Sequence, residues 1–512
     1  LRKFFTNYDC APWLKGSRTL FQPFVILILG DLFIAAFKKL SFHLRFQFLH
    51  KMKKWFQLLR EAIRGSEENF TEGNINRAIF LLSVPMILEM VMESLFAVVD
   101  IFFVSKVGIE AVATVGLTES VMTLIYSVAI GLSTAATATI ARRVGEGNTA
   151  KARHAIGQVI LISLALSVVT ASIGTWYAPD LLRAMGADDK VIALGTTYVR
   201  IQFLSSPVVI LLYSLSGALR GAGSASTAMR SLIVANGFNI LLGPLLIFGL
   251  GPIPAFGVTG AALATAIGRS IGVGYQLYAL TRVNNALGLL WEDLRPHRET
   301  IINIAKVASG GTGQFLISSA SWIFLTRILA EFGSDVVAGY TIAIRVIMFT
   351  LLPAWGLANA AATLVGQNLG AGQPERAETS VWRCALFNLI FLSGLAVVMF
   401  FSAEMIIGWF TTEAKAIEFG ALGLQAFCLG YGFYAYTMVV IQSFNGAGDT
   451  RTPTVLNLVC FWLVQIPLAY VLAIVFEMGP IGVFAAVPSA EALLALLGIW
   501  RFRLGNWKLV KV

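Results

Sequence analysis

From residue 78 onward, apolar residues run nearly unbroken for roughly 18–28 positions at a time, and short polar or glycine-bearing connections separate the runs. Runs of that length predict transmembrane helices. Twelve are expected, over 78–105, 112–138, 154–178, 191–219, 227–250, 258–281, 301–330, 337–364, 379–403, 417–445, 452–476 and 481–502. Turn-bounded segments of strict alternation, the mark of a membrane β-barrel, do not occur. The expected fold is therefore an all-α integral membrane protein.

Residues 1–77 read differently. The stretch 21–37 is apolar but short, with Asp31 inside it. Phe48, Met52, Trp55, Phe56, Leu59 and Ile63 then share one helical face, opposite Lys51, Lys53, Lys54, Arg60 and Arg64. That pattern fits an amphipathic helix lying in a membrane interface, or equally a leader with no part in what the spans do. No small-residue cleavage site follows the apolar stretch, which argues against a signal peptide.

Composition agrees with the spans: 57% of the 512 residues are hydrophobic and 13% charged, and mean hydropathy is +0.76. The net charge of +10 lacks a compact basic domain with interleaved aromatics, so nucleic acid is not an expected partner. Cys10, Cys384, Cys428 and Cys460 are scattered and the four histidines do not cluster; neither a disulfide frame nor a metal site is expected. No Walker A loop, Ser/His/Asp set or HExxH occurs, so no enzyme and no bound cofactor are expected.

Basic residues orient the spans. Seventeen, from Arg142 and Arg143 through Lys508 and Lys511, fall on one side, against four (Lys106, Arg183, Lys190 and Lys415) on the other. By the positive-inside rule both ends of the twelve-span body face the cytoplasm of a cell (inner or plasma) membrane.

The chain also repeats itself. VGEGN at 144–148 matches LGAGQ at 369–373, GAGS at 221–224 matches GAGD at 446–449, Gly257-Val258 matches Gly482-Val483, and Gly108 matches Gly333, each at an offset of 225. Six spans separate the copies, so both have the same orientation and should be related by a pseudo-two-fold axis along the membrane normal. The expected division is an extension over 1–77, a six-helix bundle over 78–281, a cytoplasmic linker over 282–300, a second bundle over 301–502 and a tail over 503–512. A substrate would sit in the cleft between the bundles.

An ionisable residue inside a membrane costs about 2.5–3.5 kcal/mol on insertion scales and calls for a reason. The first span holds three: Glu89, Glu93 and Asp100, at separations that put them on one helical face. Such a face must look into the bundle or a wet cavity, where a carboxyl can exchange H⁺ or Na⁺ against a substrate. Asn236 and Asn239 share a face of the fifth span and are candidates for the same cation, or for interhelical hydrogen bonds. Gln314, Arg345 and Pro85 are candidates for the substrate cavity. Arg200, Arg269, Arg327, Glu491, Gln442 and Gln465 complete the in-membrane polar set, and buried arginines more often lock helices than touch substrate. Pro207, Pro244, Pro353 and Pro467 interrupt further spans.

These features together resemble the multidrug and toxic compound extrusion (MATE) family of the wider superfamily of multidrug and lipid-linked oligosaccharide flippases. The resemblance rests on TEGNI at 71–75 before Pro85, VDIFFV at 99–104, GIEAVATVG at 108–116, ARRVG at 141–145, ALRGAG at 218–223, VGQNLGAG at 365–372 and NGAGDT at 445–450. It implies two six-helix bundles exporting organic, often cationic, compounds in exchange for H⁺ or Na⁺ by alternating access, as a monomer whose partners are small organic molecules and membrane lipids. It maps Asp100 onto the family's first-helix aspartate, with a possible Na⁺ there, and Asn239 onto the asparagine of a fifth-helix Asn-x-x-x-Asp pattern. The acid of that pattern is replaced here by Gly243, which leaves Asp100 as the principal acid, with Glu89 or Glu93 as substitutes. Spans seven, eight and eleven hold no embedded acid, so cation coupling is expected mainly in the first bundle. A lipid-linked oligosaccharide flippase is the alternative, and would want a strongly cationic cavity built on Arg200, Arg269 and Arg345.

Overall fold

The computed structural model describes residues 42–65, 69–281 and 288–512. They are helical throughout, with a single isolated bridge between Leu250 and Ile253 and no strand among them. The apolar stretch 21–37 lies outside the described residues. The amphipathic segment is a helix, Phe42–Arg64, on which Trp55 and Phe56 are exposed. Glu61–Val512 forms one compact unit.

Among the described residues, ten spans are long and apolar enough to cross a membrane when one bent pair counts as a single span: Ile109–Gly145, Thr149–Trp176, the pair Asp189–Leu204 and Ser206–Gly221, Ala225–Phe248, Arg298–Ala330, Ser334–Gly370, Pro374–Phe401, Ala414–Ala447, Arg451–Val475 and Pro480–Arg503; the helices Ile75–Ser105 and Val258–Thr281 bring the spans of the two bundles to twelve. Most begin three residues or so before the apolar run, because polar caps start the helix in the headgroup region. Asn74 accepts from the backbone of Asn76 at 2.9 Å, Asn148 from Lys151 at 3.0 Å and Asp188 from Val191 at 2.8 Å. The fourth span breaks at Ser205, just before Pro207, with a bend of 42°. The eleventh is α-helical at Arg451–Asn457 and π-helical over Leu458–Gln465 and Val471–Val475, on either side of Pro467. No sequence signal had announced the π segments.

The repeat is written into the helix boundaries. Ile109–Gly145 and Ser334–Gly370, Thr149–Trp176 and Pro374–Phe401 each correspond at 225 residues, as do the starts of two short helices, Ala178–Ala184 and Ala403–Gly408. Gly147 and Gly372 both take φ +71°, and Gly223 and Gly448 take +86° and +88°. Both copies therefore need glycine where the helix ends in a left-handed residue. The match Gly257–Gly482 is looser: Gly257 precedes its helix at φ +56°, whereas Gly482 lies inside one.

Packing between the halves obeys the same offset. A methyl group on Gly131 would strike Ala308 and Thr312 of the seventh span, and one on Gly356 would strike Met86 and Ile87 of the first. Likewise Gly145 abuts Gln367, and Gly370 abuts Arg142. The 225-residue offset turns the Gly131–Thr312 contact into Gly356–Ile87 and the Gly145–Gln367 contact into Gly370–Arg142. Two six-helix bundles thus meet about a pseudo-two-fold axis through spans one, two, seven and eight, and glycine lets the backbones approach.

Candidate functional site

Among the described residues, hydrogen bonds tie the bundles at one end. The Gln367 amide donates to the Gly221 carbonyl at 2.9 Å and the Thr363 hydroxyl to the Arg220 carbonyl at 3.3 Å. Arg376 donates to the carbonyls of Glu72 and Gly73, Arg383 to Asn76, Arg142 to the Val510 carbonyl and Arg143 to that of Val512. All of these lie at the Gly145/Gly370 end, where the basic residues cluster.

Towards the other end the same helix faces part. One face of an α-helix recurs every seven and eleven residues. Counting back from Gly131 gives Leu124 and Ser120, and from Gly356 gives Phe349 and Arg345; all four are exposed. On the first and seventh spans, Val91 and Val98 and their counterparts Leu316 and Ile323 are exposed too. The cleft between the bundles is thus open at the Gly108/Gly333 end and apolar along its walls. Arg345 lies on this face, and its charge reaches Glu119, which is exposed on the second span about 120° round the helix from Gly131. Glu119 is not among the residues that the sequence singles out, although an acid inside a 27-residue apolar run is itself a signal.

The acidic stripe of the first span faces elsewhere. Asp100 stands 13 residues beyond Ile87, about 140° round the helix from the cleft face, so the stripe turns into the first bundle. Glu89, 4% exposed, takes a 2.6 Å bond from Arg220, which also donates to Ser133. Glu93 accepts from the Tyr213 hydroxyl at 2.7 Å and lies 3.7 Å from Arg269. Arg269 in turn donates to the Tyr126 hydroxyl at 3.0 Å and lies over the Phe96 ring. Asn236 donates to the Met92 carbonyl at 2.9 Å and Asn239 to the Thr265 hydroxyl at 3.1 Å. Both amides therefore join neighbouring helices beside the acids, the commoner of the two roles expected for them.

Two arginines thus serve three acids. Asp100 is half-buried, takes part in no hydrogen bond or ion pair among the described residues, and has Arg269 and Glu119 as its charged neighbours. The surplus negative charge of the first span rests there. Glu89 and Glu93, expected as substitutes for the acid missing at 243, are already neutralised. A Cβ at Gly243 would touch only Phe103 Cδ2, at 3.8 Å, one turn beyond Asp100.

The cavity candidates separate. Arg345 lies on the cleft face. Gln314 is buried in the second bundle, its amide donating to Asn445 at 3.0 Å and to the Thr450 carbonyl at 3.1 Å; it clamps helices and does not line the wall. Pro85 is buried next to the Met86–Ile87 crossing with Gly356. Arg200 faces a separate crevice of about 770 Å³ between spans three and four, with Thr175 and Trp176. No cluster of His, Cys, Asp and Glu able to hold a metal occurs among the described residues.

Known proteins resemble this one along most of its length. The MatE family model matches twice, over residues 85–245 and 312–471, one match per repeat. The probable multidrug resistance protein YoeA of Bacillus subtilis is 26% identical over 438 residues, covering 84% of this chain and 95% of its own. An FAD transporter of Shewanella oneidensis is 25% identical, covering 82% and 93%. Among solved structures, an outward-facing multidrug resistance MATE transporter superposes with a TM-score of 0.80 at 26% identity, covering 89% of this chain and 98% of that one. A MATE protein in complex with MaL6 gives 0.81 at 26% identity, covering 86% and 99%.

Proposed function

The chain belongs to the MatE family of multi-pass membrane transporters, and from that we propose that it exports organic compounds, many of them cationic amphiphiles, in exchange for H⁺ or Na⁺ by alternating access. The observation that carries this reading is the charge count along the first span: Arg220 answers Glu89, Arg269 answers Glu93, and Asp100 is left over. A carboxylate without a partner in a spanning bundle favours a bound cation or proton. Taking one up removes the surplus charge and changes how the first span packs on the fifth and sixth. That span also carries the Ile87 crossing against Gly356, so its position bears on which end of the cleft is closed.

In this scheme the basic, tied end faces the cytoplasm of the cell membrane, and the cleft opens outward. The bundles run over 78–281 and 301–502, joined by the linker 282–300, whose Asp293 is held by Arg153 at 2.6 Å, and followed by the tail 503–512. No catalytic role is assigned. Relatives named as multidrug resistance proteins support organic cargo. A lipid-linked oligosaccharide flippase fits less well: Arg269 is engaged by Glu93 and Arg200 faces the separate crevice, so Arg345 alone of the three supplies positive charge to the cleft.

The test is transport of one fluorescent cation into vesicles under separately imposed pH and Na⁺ gradients. Wild-type protein should respond to one gradient, and Asp100→Asn should lose that response while still reaching the membrane. Undiminished gradient-driven transport by Asp100→Asn would remove Asp100 from the mechanism.

A further inference from the structure

The second bundle holds an acid that no basic residue answers. Glu491, in the middle of the twelfth span, is 4% exposed, and its Oε2 has no hydrogen-bond partner. Two more buried oxygens have no hydrogen-bond partner, Thr437 Oγ1 on the tenth span and Gln465 Oε1 on the eleventh, and of these the Thr437 hydroxyl, with that of Tyr434, is close enough to act on the Glu491 carboxyl. Gly482 abuts Leu472 and Ala473 across the antiparallel pair. Nine residues on along the twelfth span and eight back along the eleventh therefore bring Glu491 and Gln465 to about the same depth. Leu456 and Cys460, Ile441 and Leu494 pack together a turn further on, so the three helices converge there. The titratable groups that face Glu491 are Tyr434 and Cys460, both uncharged; no Lys, Arg or His among the described residues acts on it.

Buried polar atoms are nearly always paired, and an orphaned set asks for a missing partner. The amide oxygen of Gln465 and an ionised carboxylate are both acceptors, so neither can satisfy the other. One proton on the carboxyl resolves the conflict, since a neutral carboxyl carries an O–H that can donate to Gln465 Oε1 or Thr437 Oγ1. It also removes an uncompensated charge from the interior of a spanning bundle. A metal cation fits less well. Hard cations gather about six oxygens, and here the side chains offer one carboxyl, one amide and two hydroxyls. The site also flanks the π-helical stretch Leu458–Gln465, and π-helical turns recur where a helix is shaped for function rather than for packing.

We propose that Glu491 carries an exchangeable proton and gives the second bundle an ion-responsive site of its own, separate from Asp100. Binding forms an O–H bond on the carboxyl, and release returns the proton to water as the bundles rearrange. The part this plays in exchange rests on the transport reading above; the existence of the protonated carboxyl does not.

Infrared difference spectroscopy on the full chain in lipid nanodiscs tests it. Wild type minus Glu491→Gln should show, at neutral pH, the carbonyl stretch of a neutral carboxyl, which shifts in D₂O, gives way to carboxylate bands as the pH is raised, and is indifferent to added NaCl. Asp100→Asn should keep that band. If Glu491→Gln fails to fold, Glu491→Asp, which retains a carboxyl, should move the band instead. Absence of the band at neutral pH overturns the proposal. So does its replacement by carboxylate bands on adding Na⁺, which would make the occupant a metal cation. A band present in protein that transports nothing would count against the transport reading and leave the site standing.

Discussion

Arg220 grips Glu89 at 2.6 Å inside the first bundle, while its own backbone carbonyl accepts the Thr363 hydroxyl of the second. The ion pair joins the first span to the end of the fourth at the place where the two bundles are tied. Removing one member of a buried pair leaves an uncompensated charge and costs about 3–5 kcal/mol, whereas replacing both with apolar side chains is often neutral. Glu89→Ala should therefore lower the melting temperature of purified protein sharply, and Glu89→Ala combined with Arg220→Met should recover most of the loss. Equal melting of wild type and Glu89→Ala would show that water reaches the pair and that it holds nothing together.

The symmetric glycines give a prediction in two halves. Gly131 and Gly356 occupy equivalent positions, each pressed against the opposite bundle. A leucine at either must push the bundles apart, at about 1–3 kcal/mol if the core cannot relax. Gly131→Leu and Gly356→Leu should each make cysteines placed near Gly145 and Gln367 more reactive to a water-soluble maleimide. The two effects should be of similar size. A large effect at one and none at the other would mean that the pseudo-two-fold relation does not extend to the closed end.

Much of this was legible in the chain itself, for physical reasons. A bilayer demands long apolar helices, so the runs marked all twelve spans to within about two turns, and the 225-residue offset carried over to helix starts and glycine torsions alike. The pairing of Glu89 with Arg220, 131 residues away, was not legible, because which buried acid meets which arginine depends on helix rotation and tilt. Nor was the division of the first span into a cleft face at Val91 and Val98 and an inward face at Asp100. Periodicity put the acids on one side of the helix without saying which neighbour that side met. Gln314 looked like a cavity residue because it is polar and embedded; its two helix-clamping bonds emerge only from packing.

Charge on the cleft walls offers a third test. Glu119 and Arg345 act on each other from opposite bundles, and both are exposed, so screening keeps their effect on a bound ligand to about 1 kcal/mol or less. Arg345→Glu should tighten binding of a fluorescent organic cation by a few-fold, and Glu119→Lys should weaken it by a similar factor. Fluorescence titration at low and high salt checks this, since both changes should shrink as ionic strength rises. No change in either variant would place the cation away from this pair.

The missing acid at position 243 can be put back. Gly243 lies in the interior of the fifth span with ordinary helical torsions, and a side chain there meets only the edge of Phe103. Aspartate should therefore fit without strain, and it is at least as good a helix former as glycine. Its carboxyl would sit about one turn outward of Asp100, on the same inward wall, with no new arginine to neutralise it. If a single unanswered negative charge on that wall is what engages the coupling cation, Gly243→Asp should partly restore gradient-driven transport to Asp100→Asn. The restored activity should respond to the same imposed gradient as wild type. A double variant that folds, reaches the membrane and stays inactive would show that the carboxyl must project from the first span itself, so that cation binding moves that helix rather than merely balancing charge.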